Sequence, residues 1–254
     1  MTLKIFLTKN TSKNNFISEI FLNIYSFLTS LIEKIIFRNK FLNNELNKNG
    51  FNLYKTSKNL LIQSYEMKTV ESNKYLSKLI FSQEDINNLI SNFFIKNRVS
   101  DLITSKTGFK YSIDFMTAYE TKHINEEDLQ QRWFANHWHR DKPFSRNTLK
   151  IIIPIENITK NHGGIEIKKN RNDKEVFKMI SDTDNFLAFF SNRCFHKAGN
   201  PDFKLVRKQL MFQLNPSNKW KINSNLFSRQ YFIEPKFPLF SYIFDKKIEL
   251  KKLI

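Results

Sequence analysis

Punctuation divides this chain. All six prolines (Pro143, Pro154, Pro201, Pro216, Pro235 and Pro238) and three of the five glycines fall after residue 140. Turn-forming residues set that closely separate short strands that follow one another, and they do not tolerate long helices. The sequence therefore predicts a mainly helical first part and a mainly β second part, packed as one α+β domain. No internal repeat and no linker divides residues 1–254.

The second part reads as a series of strands. Leu149–Ile155 is a near-continuous apolar run, suited to a strand buried on both faces. Gly163-Gly164 makes a turn into Ile165-Glu166-Ile167, and Asn185–Phe190 is a further apolar strand. In Arg207–Leu214 the alternation is informative. Arg207, Gln209, Met211 and Gln213 share one face, while Leu210, Phe212 and Leu214 share the other. A polar face led by an arginine is thus backed by an apolar face that helices can cover.

In the first part, residues 1–15 are polar and lysine-rich and lack the apolar stretch of a signal sequence. From Phe16 to Phe37 apolar residues recur at three- and four-residue steps, which marks an amphipathic helix. Glu19, Glu33 and Lys34 argue against a membrane-spanning segment. A helix packed on the core is expected, with contact to a membrane surface through 16–37 as the alternative. Gly50–Tyr54 reads as an opening strand and residues 56–81 as helical or irregular. Ser82 before Gln83-Glu84-Asp85 gives an N-cap with acidic groups in the first turn. Lys110–Phe115 alternates as a strand.

The chemistry-bearing residues cluster in Asn136-His137-Trp138-His139-Arg140-Asp141. In an extended strand His137, His139 and Asp141 would project from one face. Two imidazoles and a carboxylate form half of a metal site, and His196 is the best distant candidate to complete it. Two imidazoles and a carboxylate suit non-haem Fe(II) with exchangeable positions left open. A His137-x-His139 pair would instead suggest zinc, but that scheme leaves Arg207 without a task. A lone His-x-Asp is more commonly a satisfied surface pair. Cys194, the single cysteine, reads as a small packing residue and not as a ligand. Its isolation fits a reducing, cytoplasmic compartment.

The net charge of +17 has two readings. Abundant Lys, Asn, Ile and Phe are what an A/T-rich coding sequence produces. The functional reading is attraction to an anionic partner: a nucleic acid, a lipid surface or an anionic substrate. The lysines form no dense block, which disfavours nucleic acid.

The stretch Asn136–Ser217 resembles the phytanoyl-CoA dioxygenase family of Fe(II)/2-oxoglutarate-dependent oxygenases. The matching pieces are Trp138-His139-Arg140-Asp141, Leu149–Ile155, the turn Thr159–Gly164, and Phe189–His196. Arg207 stands at the offset after His196 where that family keeps its cosubstrate arginine. The resemblance implies a double-stranded β-helix (a cupin-like jelly roll) with flanking helices. On that frame 1–48 is a helical extension, 49–130 carries helices and first strands, 131–220 is the β-helix core, and 221–254 is a tail. The implied metal ligands are His139, Asp141 and His196. Arg207, Asn136 and Lys150 are the implied cosubstrate contacts, with Fe(II), 2-oxoglutarate and O2 as cofactors and ascorbate as a stimulant. Retention of Asp141 implies hydroxylation and not halogenation, of a small or a lipid-, CoA- or sugar-linked substrate that the positive charge would suit if anionic. Where many relatives carry a proline-glycine-serine-histidine loop, this chain reads Lys168-Lys169-Asn170-Arg171-Asn172-Asp173, so substrate class does not transfer. The alternative functions are a non-catalytic β-helix binding protein, or a basic protein that binds nucleic acid or a membrane.

Overall fold

The structure is a computed structural model that describes residues 16–37, 42–58, 60, 62–141, 145–222 and 248–249. Two facing sheets form its centre. The large sheet runs in the order β1 (Phe51–Lys55), β8 (Asn185–Phe190), β5 (Leu149–Pro154), β10 (Val206–Ser217), β4 (Lys110–Lys122). Beyond β4 lie β11 (Lys221–Ile222) and β12 (Ile248–Glu249), and the other half of β4 pairs with the hairpin β2 (Met67–Asn73) and β3 (Leu76–Phe81). The small sheet is β7 (Phe177–Lys178), β6 (Glu166–Lys168), β9 (Phe195–Lys197), and an antiparallel bridge from His139 to His196 extends it.

Chain direction across the two sheets defines the architecture. From β4 the chain enters the small sheet at His139, returns in β5, crosses to β6 and β7, returns in β8, crosses to β9 and returns in β10. Such winding between two antiparallel sheets is a jelly roll. The fold is a double-stranded β-helix.

The outer face of the large sheet is covered as the alternation of β10 predicts. Helix α3 (Gln83–Ile90) starts at Ser82, whose side chain accepts from the Asp85 N–H, and runs on through a wider π-turn, Ser91–Lys96. From that turn Phe93 stacks on Phe212 at 6.0 Å and Phe94 meets it edge-on at 5.1 Å. Helix α4 (Val99–Thr107) follows. Ile152, Ile167, Leu187 and Phe189 pack between the sheets as a second, smaller core. Gly50 ends the one-turn helix α2 (Glu45–Asn49) at φ 84°, and a Cβ there would strike the Cys194 sulfur. Burial pushes that thiol up to about 11, so Cys194 is a packing residue.

Two expectations fail. Residues 56–81 contain the hairpin β2–β3 rather than helix. Most of β2 is exposed, so it carries no apolar alternation to read. Its turn is set by Asn73, whose side chain accepts from the Tyr75 N–H at 2.9 Å. The second concerns α1 (Phe16–Ile36), which forms where expected but with its sides exchanged. Ser26, Thr29, Ser30 and Glu33 face the body of the protein, while Ile20, Ile24, Phe27, Leu28, Leu31, Ile32, Ile35 and Ile36 are exposed.

Glu33 anchors that arrangement. Its carboxyl accepts from the Ser145 hydroxyl at 2.5 Å and the Asn147 amide at 3.0 Å, and Asn147 also donates to the Ser30 carbonyl. Burial raises its pKa to about 7, against the opposing pull of those two donors. A raised folded-state pKa favours the protonated form. Its contribution is thus complete below the ordinary carboxyl range and lost as pH rises through about 7, a swing of order 3 kcal/mol. Denaturant titrations of Glu33→Gln and the parent should therefore diverge between pH 5 and pH 8, the parent losing stability relative to the variant. Parallel pH curves would show that Glu33 titrates as an exposed acid.

Candidate metal centre

His139, Asp141 and His196 converge at one end of the interface between the sheets. The paired backbone of the isolated bridge sets His139 directly opposite His196, with N–H···O distances of 3.1 and 2.9 Å. Asp141 is held by its own N–H, which donates to the Ser191 carbonyl at 3.0 Å. One Asp141 oxygen then stands 3.7 Å from His139 Nε2 and 3.8 Å from His196 Nε2. All three ligand atoms lie within 4.8 Å of one another.

Both rings are oriented from behind. His139 Nδ1 lies 2.7 Å from the His137 carbonyl, and His196 Nδ1 lies 3.3 Å from the Cys194 carbonyl. A carbonyl behind Nδ1 places the proton there and leaves Nε2 as a lone-pair donor. Burial, eased by Asp141, lowers the His196 pKa to about 4, so that ring is neutral at neutral pH. Its Nε2 is buried without a hydrogen-bond partner, which a metal ion would supply. Burial would raise the Asp141 pKa, but Lys150, His196 and His139 outweigh it and hold the carboxyl at about 2. A neutral His196 and an ionised Asp141 are the protonation states that metal ligation needs.

The cavity beside these ligands has a volume of about 240 Å³ and is bounded by His139, His196, Phe134, Met211, Tyr119 and Gln209, among others. Gln209 faces Tyr119 across the β10–β4 pair and donates to its hydroxyl. Two residues along β10 lies Arg207, 1% exposed, with one Nη donating to the Gly199 carbonyl at 3.0 Å. Its Nε and second Nη have no partner among the described residues, and no carboxylate is paired with it. Burial lowers its pKa, with the nearby Tyr119 opposing. A buried guanidinium with two idle donors is costly unless a ligand satisfies it, and a carboxylate matches its fork.

Other expected site residues lie elsewhere. Asn136 turns its amide to the Gln131 carbonyl at 2.9 Å and does not border the cavity. His137 likewise contacts the Gln131 carbonyl at 3.1 Å. The segment before His139 is a chain of turns and not an extended strand, which breaks the alternation that would have aligned His137 with its neighbours. The zinc pair is thereby lost. Lys150 borders the cavity, and its ammonium lies 2.5 Å from the second Asp141 oxygen, where it balances the charge of that carboxylate. Lys150→Met should weaken metal binding about 10–100-fold at pH 5, where the freed carboxyl begins to protonate, and less at pH 7.5. Equal losses at both pH values, measured by metal titration, would contradict that role.

Tyr119 and Thr117 border the cavity and were not foreseen, because β4 extends well past Phe115. Continuing the alternation Phe115, Thr117, Tyr119 would have found them.

No protein-family model matches this sequence, and no curated protein matches it. Solved structures similar to this chain include HygX from Streptomyces hygroscopicus with nickel and 2-oxoglutarate bound (TM-score 0.49, 9% identity, 71% of this chain and 89% of that one). The epimerase SnoN from nogalamycin biosynthesis is similar at TM-score 0.48 and 11% identity, covering 74% of this chain and 83% of that one. A prolyl hydroxylase from Trichoplax adhaerens, in complex with a hypoxia inducible factor peptide, gives 0.47 and 14%, covering 74% and 90%. The fold assignment stands on strand order and winding.

Proposed function

We propose that this protein is an Fe(II)- and 2-oxoglutarate-dependent oxygenase that hydroxylates a small molecule. What supports the reading is a conjunction: two imidazoles and one carboxylate on one side of a cavity, and a fully buried guanidinium without an anionic partner deeper in the same fold. His139, Asp141 and His196 would hold the metal, and Arg207 would take the distal carboxylate of 2-oxoglutarate. When bound, iron with 2-oxoglutarate and O2 supplies oxidative decarboxylation to succinate and CO2, coupled to insertion of one oxygen atom into a substrate C–H bond.

The chain's own groups do the rest. Lys150 keeps Asp141 ionised, and the carbonyls of His137 and Cys194 fix the two imidazole tautomers. Gln209 and Tyr119, bonded to each other, give the cavity wall a polar patch, and Arg207 lies two residues from Gln209 on the same face of β10. Phe134, Ile152, Phe189 and Met211 exclude water. At about 240 Å³ the cavity is smaller than the roughly 300–1,000 Å³ of pockets that enclose drug-sized ligands, so a substrate presents only its reacting end. Succinate release in the presence of iron and ascorbate, screened across candidate small molecules, tests the proposal. Release that needs both iron and 2-oxoglutarate and rises with one compound supports it. Succinate formation that is indifferent to iron contradicts it.

A further inference from the structure

Helix α1 presents the wrong side to water. Eight large apolar residues on it are 38–77% exposed, with Ile24 at 54% and Ile35 at 77%, while Ser26, Thr29, Ser30 and Glu33 are buried. Scattered surface hydrophobics are ordinary, but a contiguous stripe along a five-turn helix is the mark of a binding surface. The orientation is held by the Glu33–Ser145 and Glu33–Asn147 bonds and the Asn147–Ser30 bond, which tie the polar side to the body of the protein. Turning the helix over would leave those groups unpaired and bury Glu33's bonding partners without it.

Charge selects the occupant. Among the residues flanking and ending this helix, Lys4, Lys9, Lys13, Lys34, Arg38 and Lys40 are basic, and residues 1–18 and 37–44 contain no Asp or Glu. A second copy of the chain would bring one net charge of +17 against another, and nucleic acid has no use for an apolar stripe. An apolar face with Lys34 in its last turn, on a chain of net charge +17 whose adjoining sequence carries further lysine and arginine, matches the boundary of an anionic bilayer, where acyl chains take apolar side chains and headgroups take cations. No helix among the described residues is long and apolar enough to cross a membrane, so the contact lies in the surface plane. We propose that α1 is a docking helix that seats this protein on an anionic lipid surface through Ile24, Phe27, Leu28, Leu31 and Ile35, whatever chemistry the metal centre performs.

Co-sedimentation of the full chain with phosphatidylglycerol/phosphatidylcholine vesicles, and with phosphatidylcholine alone, tests this. The parent should pellet with the anionic vesicles and far less with the neutral ones. Ile24→Gln combined with Ile35→Gln changes two exposed positions and should cut partitioning about tenfold or more while the circular dichroism spectrum stays the same. If the pair perturbs the spectrum, Ile35→Gln alone is used, with about a threefold or greater loss expected. A parent that stays in the supernatant with both vesicle types, or a folded variant that pellets as well as the parent, overturns the proposal. So does a concentration-dependent dimer, seen by sedimentation equilibrium, that the double substitution disrupts without any vesicle binding.

Discussion

Replacing Asp141 with alanine should reduce iron-dependent succinate release at least about a hundredfold and remove tight Fe(II) binding with it. Changes to groups that merely orient a ligand cost 10–100-fold in affinity or activity, and losing the ligand itself costs more. Asp141 is also the hub of the charge arrangement. One oxygen faces both imidazoles at 3.7 and 3.8 Å, and the other pairs with Lys150 at 2.5 Å. Alanine therefore removes a ligand and also strands the Lys150 ammonium in a largely buried place. Asp141→Asn separates the two effects, since it keeps the shape but not the charge. It should retain a folded chain, fail to hold iron, and leave Lys150 unpaired. A metal titration in which Asp141→Ala binds Fe(II) as the parent does would remove Asp141 from the ligand set. Alanine at His139 or His196 should give losses of similar size.

The second large effect concerns Arg207. Arg207→Gln should raise the 2-oxoglutarate concentration needed for half-maximal turnover about a hundredfold, with iron binding little changed. The magnitude follows from losing two charge-assisted hydrogen bonds in a buried place, each worth about 1.5–3 kcal/mol, partly offset by removing an unpaired buried charge. Thermal denaturation supplies a readout free of turnover. A ligand that binds only the native state stabilises it in proportion to the logarithm of its concentration over Kd. Saturating 2-oxoglutarate should thus raise the melting temperature of the parent and leave the variant unmoved. Equal shifts in both proteins would mean that the cosubstrate carboxylate is gripped elsewhere, with Lys78 and Lys150 the nearest cationic alternatives on the cavity wall.

The parts of this architecture that could be read in the sequence were those where one face is buried and the other is not. In β10 the alternation of Arg207, Gln209 and Met211 against Leu210, Phe212 and Leu214 survives because helices cover one side and the cavity borders the other. His139-x-Asp141 and His196 were legible because few side chains can ligate a metal and fewer still recur at that spacing. The strand β2 was invisible for the converse reason, as its edge position exposes both faces and removes the periodic signal. In α1 the spacing correctly gave a helix with two unlike sides. Periodicity cannot say which side turns inward, and the polar partners Ser145 and Asn147 lie more than a hundred residues away in sequence. Asn136 and His137 both turn to the Gln131 carbonyl, and such local bends override the strand alternation that the sequence suggests.

Anaerobic addition of Fe(II) to the protein with 2-oxoglutarate present tests the central claim most directly. One ferrous ion per chain should be retained, with a weak visible absorption band that needs both iron and cosubstrate, disappears in His196→Ala, and weakens in Arg207→Gln at limiting 2-oxoglutarate. A parent chain that gives no such band and retains no iron would contradict the assignment of His139, Asp141 and His196 as a ferrous site.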